Sequence, residues 1–185
     1  MNYYLYFLFY FILLYIILFI VNNNKISNPI KAICVLQSNS NKNLKGSIHL
    51  IEIDKNHTKI FGIIEGLNPG KHGFHIHESG DLSDGCNSLC AHYNPFNKKH
   101  GGLNDKERHV GDLGNIIANS KGISTIDITD KLIKLRGKYS VIGRSFIIHE
   151  DEDDLGKGNH DDSLTTGHSG KRILCGVIGY SKLCK

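Results

Sequence analysis

Apolar side chains run along this chain in two different ways. Residues 3 to 20 are almost entirely Tyr, Phe, Leu and Ile, and no charged side chain precedes Lys25. Nine of the sixteen aromatic residues lie in that stretch, so the composition changes abruptly near Asn22-Asn23-Asn24. Beyond this boundary the period shortens to two. Ile126 and Ile128 alternate with Thr125, Asp127 and Thr129, the pattern of a half-buried strand. Lys45 to Ile53, Lys59 to Gly66 and Lys138 to Ile148 are rich in Ile, Val or Thr and bounded by Gly, Asn or Asp, and they read as further strands. The 20 glycines all fall from Gly46 onwards; they cut the region into short segments, and no long helical period appears after residue 25. The pattern predicts an all-β domain over residues 25–185, a sandwich or barrel with Greek-key connections. About 155 residues is an ordinary size for one domain with one core. Two stretches, 78–109 and 150–171, carry no strand pattern. Long loops of this kind in a compact domain are usually functional.

Residues 1–24 read as a hydrophobic signal peptide or signal anchor. Their apolar length approaches the roughly 20 residues that span a bilayer. The basic start and small-residue cleavage pattern of a secretory signal are missing. Lys25, on the carboxyl side, is a flank of the kind that tends to stay cytoplasmic. Secretion through this segment is the expectation, with a membrane anchor at residues 3–21 as the alternative. Asn56-His57-Thr58 is an acceptor sequon for N-glycosylation and leans the same way. The net charge of +4 is too small to argue for nucleic acid. Of five cysteines, Cys34 lies in the apolar run Ala32-Ile33-Cys34-Val35-Leu36 and reads as a buried free thiol.

Eleven histidines bring in the chemistry. His75 and His77 are two apart, so on a strand they face the same way and can offer two nitrogens to one ion. Alone, such a pair is more often a surface feature. His92, His100 and His109 follow at intervals of eight and nine residues, then Asp112. Three imidazoles and one carboxylate fill a closed tetrahedral zinc shell. The residues between them, Asn94 to Asp105, are polar turn formers, and a bound ion would give this loop the order its composition does not. Imidazole suits copper as well as zinc. His149 and Arg172 come later in the chain.

Longer blocks carry a family resemblance. His72-Gly73-Phe74-His75-Ile76-His77-Glu78, Gly85-Cys86, His92-Tyr93-Asn94-Pro95 and Lys99-His100-Gly101-Gly102 resemble copper/zinc superoxide dismutases. So do Arg108-His109-Val110-Gly111-Asp112-Leu113-Gly114-Asn115 and Val141-Ile142-Gly143-Arg144. The late segments agree: His149-Glu150, Asp153 to Gly158, Thr166-Gly167, Gly170-Lys171-Arg172 and Cys175 to Gly179. The likeness runs in register from about residue 31 to 181, far more than any short motif.

Carried over residue by residue, the resemblance implies an eight-stranded Greek-key sandwich or barrel with two long functional loops. It implies copper ligands His75, His77, His92 and His149, and zinc ligands His92, His100, His109 and Asp112. His92 would then bridge the two ions, one copper and one zinc per subunit. Asp153 corresponds to an outer carboxylate that links His75 and His100, and Arg172 to the guanidinium that docks the anionic substrate. Cys86 and Cys175 correspond to an intrasubunit disulfide; Cys90 and Cys184 depart from the common pattern and could pair together, pair across a dimer or stay free. The implied activity is disproportionation of superoxide to dioxygen and hydrogen peroxide, with copper cycling between oxidation states and zinc structural. A homodimer, with Gly176 to Gly179 in its interface, and loading by a copper chaperone are implied as well. The acidic run Glu150 to Asp154 precedes Arg172 and predicts weakened anion steering. Two other classes compete: a copper-handling protein, suggested by Cys86-Asn87-Ser88-Leu89-Cys90, and a purely structural β-domain. The first sits poorly with the presence of His149, Asp153 and Arg172, and the second explains none of the shared ligands.

Overall fold

The structure, a computed structural model, describes residues 3–24, 26, 28–38 and 41–182. Helix α1 spans Tyr3–Asn24, about 33 Å at the usual rise. Its described side chains, Tyr6 to Ile20, are all exposed, so none of them is buried against the domain. Over the described residues alone, no helix is long and apolar enough to cross a membrane.

Eight strands follow: β1 Lys31–Gln37, β2 Lys45–Glu52, β3 Thr58–Glu65, β4 Gly70–His77, β5 Asp112–Ala118, β6 Ile123–Asp130, β7 Ser145–His149 and β8 Arg172–Tyr180. They form one antiparallel sheet in the order β5-β4-β7-β8-β1-β2-β3-β6. Its two end strands approach each other, so the sheet is a nearly closed barrel. Because β3 pairs with β6 and β4 with β7, the chain crosses between non-sequential neighbours, which is the Greek key expected from sequence.

Period-two patterning decides what the barrel encloses. Ile48 and Leu50 of β2, Ile60 and Ile64 of β3, Phe74 and Ile76 of β4, and Phe146 and Ile148 of β7 are fully or almost fully buried in one cluster. Phe74 and Phe146 stack with centroids 5.0 Å apart. Each such side chain contributes about 1.5–3 kcal/mol on leaving water. Cys34 is buried here as a free thiol, as its apolar run predicts, and burial pushes its pKa up to about 12.

One predicted strand is shorter than expected. Of Lys138 to Ile148, only the part from Ser145 onward belongs to a strand, β7 Ser145–His149. Arg144 N–H donates to the Val141 carbonyl and Gly143 adopts φ +83°, so this stretch turns before the sheet begins. The apolar residues Val141 and Ile142 pack on the core from the turn instead.

The two long loops sit where predicted, between β4 and β5 and between β7 and β8. The first contains a 3-10 turn at Asn87–Leu89, the second a single helical turn, α2, at Ser163–Thr166. The Cys86–Cys175 disulfide ties the first loop to β8. Cys90 is free and exposed, and Cys184 lies outside the described residues. Gly73 lets the second loop lie against β4: a Cβ there would come within 2.7 Å of the Ser169 side chain.

Candidate metal centre

Strand register gathers the histidines. On β4, odd positions face away from the barrel core and towards the two loops, which is why His75 and His77 share a face. His75 lies opposite Asp112 of β5, His77 forms an isolated bridge with His92, and His149 at the end of β7 faces Arg172 at the start of β8. His75, His77, His92, His100, His109, His149, Asp112 and Asp153 are all buried. Eight such polar groups would be costly to bury without partners.

Their donor atoms fall into two clusters that share one ring. His75, His77, His92 and His149 bring one nitrogen each to a common point, and His92, His100, His109 and Asp112 do the same beside it, with donors within 4.8 Å of one another in each cluster. In the second cluster three nitrogens surround one oxygen, Asp112 Oδ1. His92 Nδ1 is 2.9 Å away, His100 Nδ1 3.0 Å and His109 Nδ1 3.0 Å. Ligands about 2.0 Å from a tetrahedral ion stand roughly 3.3 Å apart, so this packing is close to a zinc shell drawn inwards.

The inward nitrogens show what the site is built for. His75 Nδ1, His77 Nε2, His92 Nε2 and His149 Nε2 are buried and make no hydrogen bond, while His100 Nδ1 has only its contact with Asp112 Oδ1 at 3.0 Å. The opposite nitrogens of the same rings are engaged. His77 Nδ1 pairs with the Cys90 carbonyl at 2.8 Å and His149 Nδ1 with the Gly170 carbonyl at 3.2 Å. Asp153 reaches His75 Nε2 with one oxygen and His100 Nε2 with the other, both at 2.8 Å. Outer partners of this kind fix tautomer and ring direction, and leave the inward lone pair free for an ion. The donor set therefore fits copper and zinc.

Ionisation agrees. Burial, then the neighbouring His75, lowers the His92 pKa to about 3; burial with the same neighbour lowers His149 to about 2. Burial and then His92 hold His77 far below the ordinary imidazole range. These rings stay neutral at physiological pH, the form that binds metals. Burial opposes the charge on His100, but its bonds to Asp112 and Asp153 prevail and raise it to about 9. Burial would also raise both carboxyls, yet their histidine partners hold Asp112 and Asp153 well below the usual range.

Arg172 stands at the mouth. Its Nη1 donates to the carbonyls of Cys86 (2.9 Å) and Asn87 (3.2 Å), and its Nη2 to that of Cys90 (2.6 Å). The disulfide-tied turn thus aims the guanidinium. A cavity of about 430 Å³ opens beside it, lined by His77, His92, His149, Asp151, Asp162 and His168 among others. The acidic run is mostly turned elsewhere. Glu152 pairs with Lys71 at 2.6 Å, Glu150 with Lys171 at 3.7 Å, Asp154 accepts from Ser163 Oγ, and Asp153 is committed to the histidines. Of Glu150 to Asp154 only Asp151 lines the cavity.

Three positions carry roles that the motifs do not announce. Asn115 on β5 exchanges two 2.8 Å hydrogen bonds with the Asp153 backbone. Arg108, buried, donates to the carbonyls of His109, Val110 and Asp112 and pairs with Asp130, so it holds the turn that carries His109 and Asp112. Gly167, at φ +68°, passes so close to Asp153 that a Cβ would come within 2.0 Å of its Oδ1. Each was visible as a residue type. None had a spacing that would reveal its use.

Fold and site define a β-barrel protein with two adjoining histidine-rich clusters of the kind that can hold metal ions. A profile of the family described as copper/zinc superoxide dismutase (SODC) matches residues 44–178. A Cu-Zn superoxide dismutase of Paramecium bursaria Chlorella virus 1 is 51% identical over 158 residues, covering 85% of this chain and 82% of that protein. An extracellular Cu-Zn superoxide dismutase of Brugia pahangi is 51% identical over 159 residues, 84% of this chain and 79% of that protein. A Dictyostelium discoideum Cu-Zn superoxide dismutase is 50% identical over 155 residues, 83% of this chain and the whole of its own length. The chain belongs to the copper/zinc superoxide dismutase family.

Proposed function

We propose that His75, His77, His92 and His149 hold copper, that His92, His100, His109 and Asp112 hold zinc, and that Arg172 docks superoxide for this dismutase. One of each ion per subunit is the loading the two clusters fit. The observation that carries the reading is the set of four buried nitrogens without hydrogen bonds, on His75, His77, His92 and His149, gathered on one side of the His92 ring, with three nitrogens gathered around Asp112 Oδ1 on its other side. When bound, copper supplies the alternation of oxidation state by which one superoxide is oxidised to dioxygen and the next reduced to peroxide, while zinc, without redox chemistry, organises and polarises.

The chain's own residues do the rest. Arg172 keeps a fixed positive charge at the mouth and presents donors to a small anion. His92 faces one cluster through Nε2 and the other through Nδ1. Nε2, buried without a partner, would hold copper, and as an imidazole nitrogen it could carry one of the two protons that peroxide needs. Asp153 keeps His75 and His100 in the tautomers that present Nδ1 inwards. The loops and the Cys86–Cys175 bridge exclude bulk water from all but the mouth.

Residues 1–24 serve in this reading as the signal that directs the domain, residues 25–185, out of the cell. The extracellular relatives from Brugia pahangi and Drosophila melanogaster support it. Asn56 is exposed and accessible for glycosylation. A homodimer and loading by a copper chaperone complete the proposal. The test is metal analysis of purified protein with a superoxide-consumption assay before and after chelation. One copper and one zinc per chain, and activity lost with copper, are the expected result. A single kind of ion in fully loaded protein would overturn it.

A further inference from the structure

We infer that the end of the barrel at which β1 begins is a docking surface for an anionic lipid bilayer. The inference does not depend on the metal reading. β1 and β3 start at this end and β2 and β6 finish there. Its surface is built by the β2–β3 turn, residues 53–57, and the loop after β6, residues 131–138. The two are locked together: Thr58 Oγ1 donates to the Ile133 carbonyl at 2.8 Å, and Lys134 Nζ to the Asn56 carbonyl at 2.7 Å. Lys55, Lys134 and Arg136 line one cavity here, of about 300 Å³, and Lys106 and Lys131 line another, of about 370 Å³.

Charge is unevenly distributed. Elsewhere on the domain Lys45, Lys59, Lys71, Lys98 and Lys171 each pair with a carboxylate. At this end Lys31, Lys55, Lys106, Lys131 and Lys138 are exposed and, among the described residues, in no ion pair. The acids around them are engaged. Glu52 is buried and held by Arg136, Asp130 is buried and held by Arg108, Asp54 pairs with His57, and Asp105 with Lys157. Ile53 is 50% exposed and Leu132 38%, next to Lys55 and Lys131 in the chain. Lysines interleaved with exposed aliphatic side chains suit a bilayer, whose headgroups take the charge and whose acyl boundary takes the apolar tips. A sulfated sugar offers nothing to Ile53 or Leu132. The apolar, exposed helix α1 ends at Asn24, a few residues before β1, so a bilayer that received it would face these lysines. A glycan on Asn56 would hold this end off the lipid, so the two uses of the turn exclude each other.

The test uses the full, unglycosylated chain and vesicles of phosphatidylcholine, alone or mixed with phosphatidylserine. Co-sedimentation should show at least about tenfold tighter binding to the mixed vesicles, since each lysine near an anionic surface adds roughly fivefold. High salt should abolish the preference. Residues 1–24 carry no charge, so α1 contributes alike to both vesicles and the ratio reports the lysines. The triple variant Lys55→Gln, Lys106→Gln, Lys131→Gln should lose the preference. Lys42→Gln, Lys99→Gln, Lys121→Gln, the same charge change elsewhere, should keep most of it. The chain has no tryptophan, so Ile53→Trp adds a single reporter whose emission should shift to the blue on mixed vesicles. Ile117→Trp, exposed on β5, should not shift. Equal binding to both vesicles, equal losses in the two triple variants, or a blue shift at 117 and not at 53 would overturn the inference. So would binding to dextran sulfate without preference for mixed vesicles, which would assign the lysines to a polysaccharide.

Discussion

His92 carries two obligations with one ring, and its neighbours are arranged so that neither nitrogen is spent on anything else. Nδ1 lies 2.9 Å from Asp112 Oδ1 and Nε2 is buried without a partner. Asp153 sets the orientation of two further rings, so its loss should be felt as lost metal before lost fold. Asp153→Ala is expected to lower affinity for the bound ions by about 10–100-fold, the usual cost of removing an outer partner. Competition with a chelator of known affinity measures it. Arg172 is the second decisive residue. Arg172→Ala should reduce kcat/KM for superoxide by about tenfold or more, in the range that local charge contributes to anion capture. Arg172→Lys should recover only part of this, because an ammonium cannot span the three carbonyls that aim the guanidinium. Fast-kinetic measurement of superoxide decay across salt concentrations would decide, and unchanged metal content is the control.

At the scale of elements, the strands carry part of the proposed ligand set and the loops complete it. His75, His77 and His149 sit on the ends of β4 and β7, where register fixes their direction; His92, His100 and His109 come from a loop that has no periodic structure. That loop is held at three points: the disulfide, Arg108 with Asp130, and the bridge between His77 and His92. The disulfide spans a sequence separation of 89, and Cys175→Ser should cost about 2–4 kcal/mol of stability. Because the Cys86 and Cys90 carbonyls hold Arg172, the same variant should lose kcat/KM even when fully loaded with metal. Denaturant unfolding and kinetics on the loaded variant separate the two effects; full activity at reduced stability would contradict the coupling. The loops were legible as loops from their polar composition, and the strands from alternation. Their closure was not. Lys138 to Ile148 shows why, since apolar content alone reads as strand, whereas Gly143 and the Val141–Arg144 turn bend the first half away from the sheet.

For the whole molecule, the metal-free protein stores charge in an unusual way. Unfolded, its histidines protonate near the ordinary value of about 6.5. Folded, His92 stays neutral to about 3 and His149 to about 2, and His77 is held down as well. The stability tied to these three is present above about pH 6.5 and is lost as pH falls towards their folded values. His100 has the opposite sign: raised to about 9, its contribution is present below about pH 6.5 and lost as pH rises through 9. Asp112 and Asp153, both depressed, contribute above the ordinary carboxyl range and lose that contribution only in stronger acid. Three depressed rings outweigh one raised ring, so protein stripped by chelation should show a falling Tm between pH 7 and 5. Scanning calorimetry checks this, and a Tm that rises on acidification would contradict it.

The amino-acid order by itself determined the ligand types, their pairing on β4, the division near residue 24 and the all-β class. Each of these follows from local rules: side chains alternate along a strand, and composition separates an apolar first segment from a glycine-punctuated region. The family resemblance already implied the shared place of His92 and the link through Asp153; tertiary structure alone decided the distances that realise them and that most of the acidic run turns away from the channel. Those outcomes depend on distances between residues tens of positions apart, set by strand register and loop closure, and no short-range pattern encodes such distances.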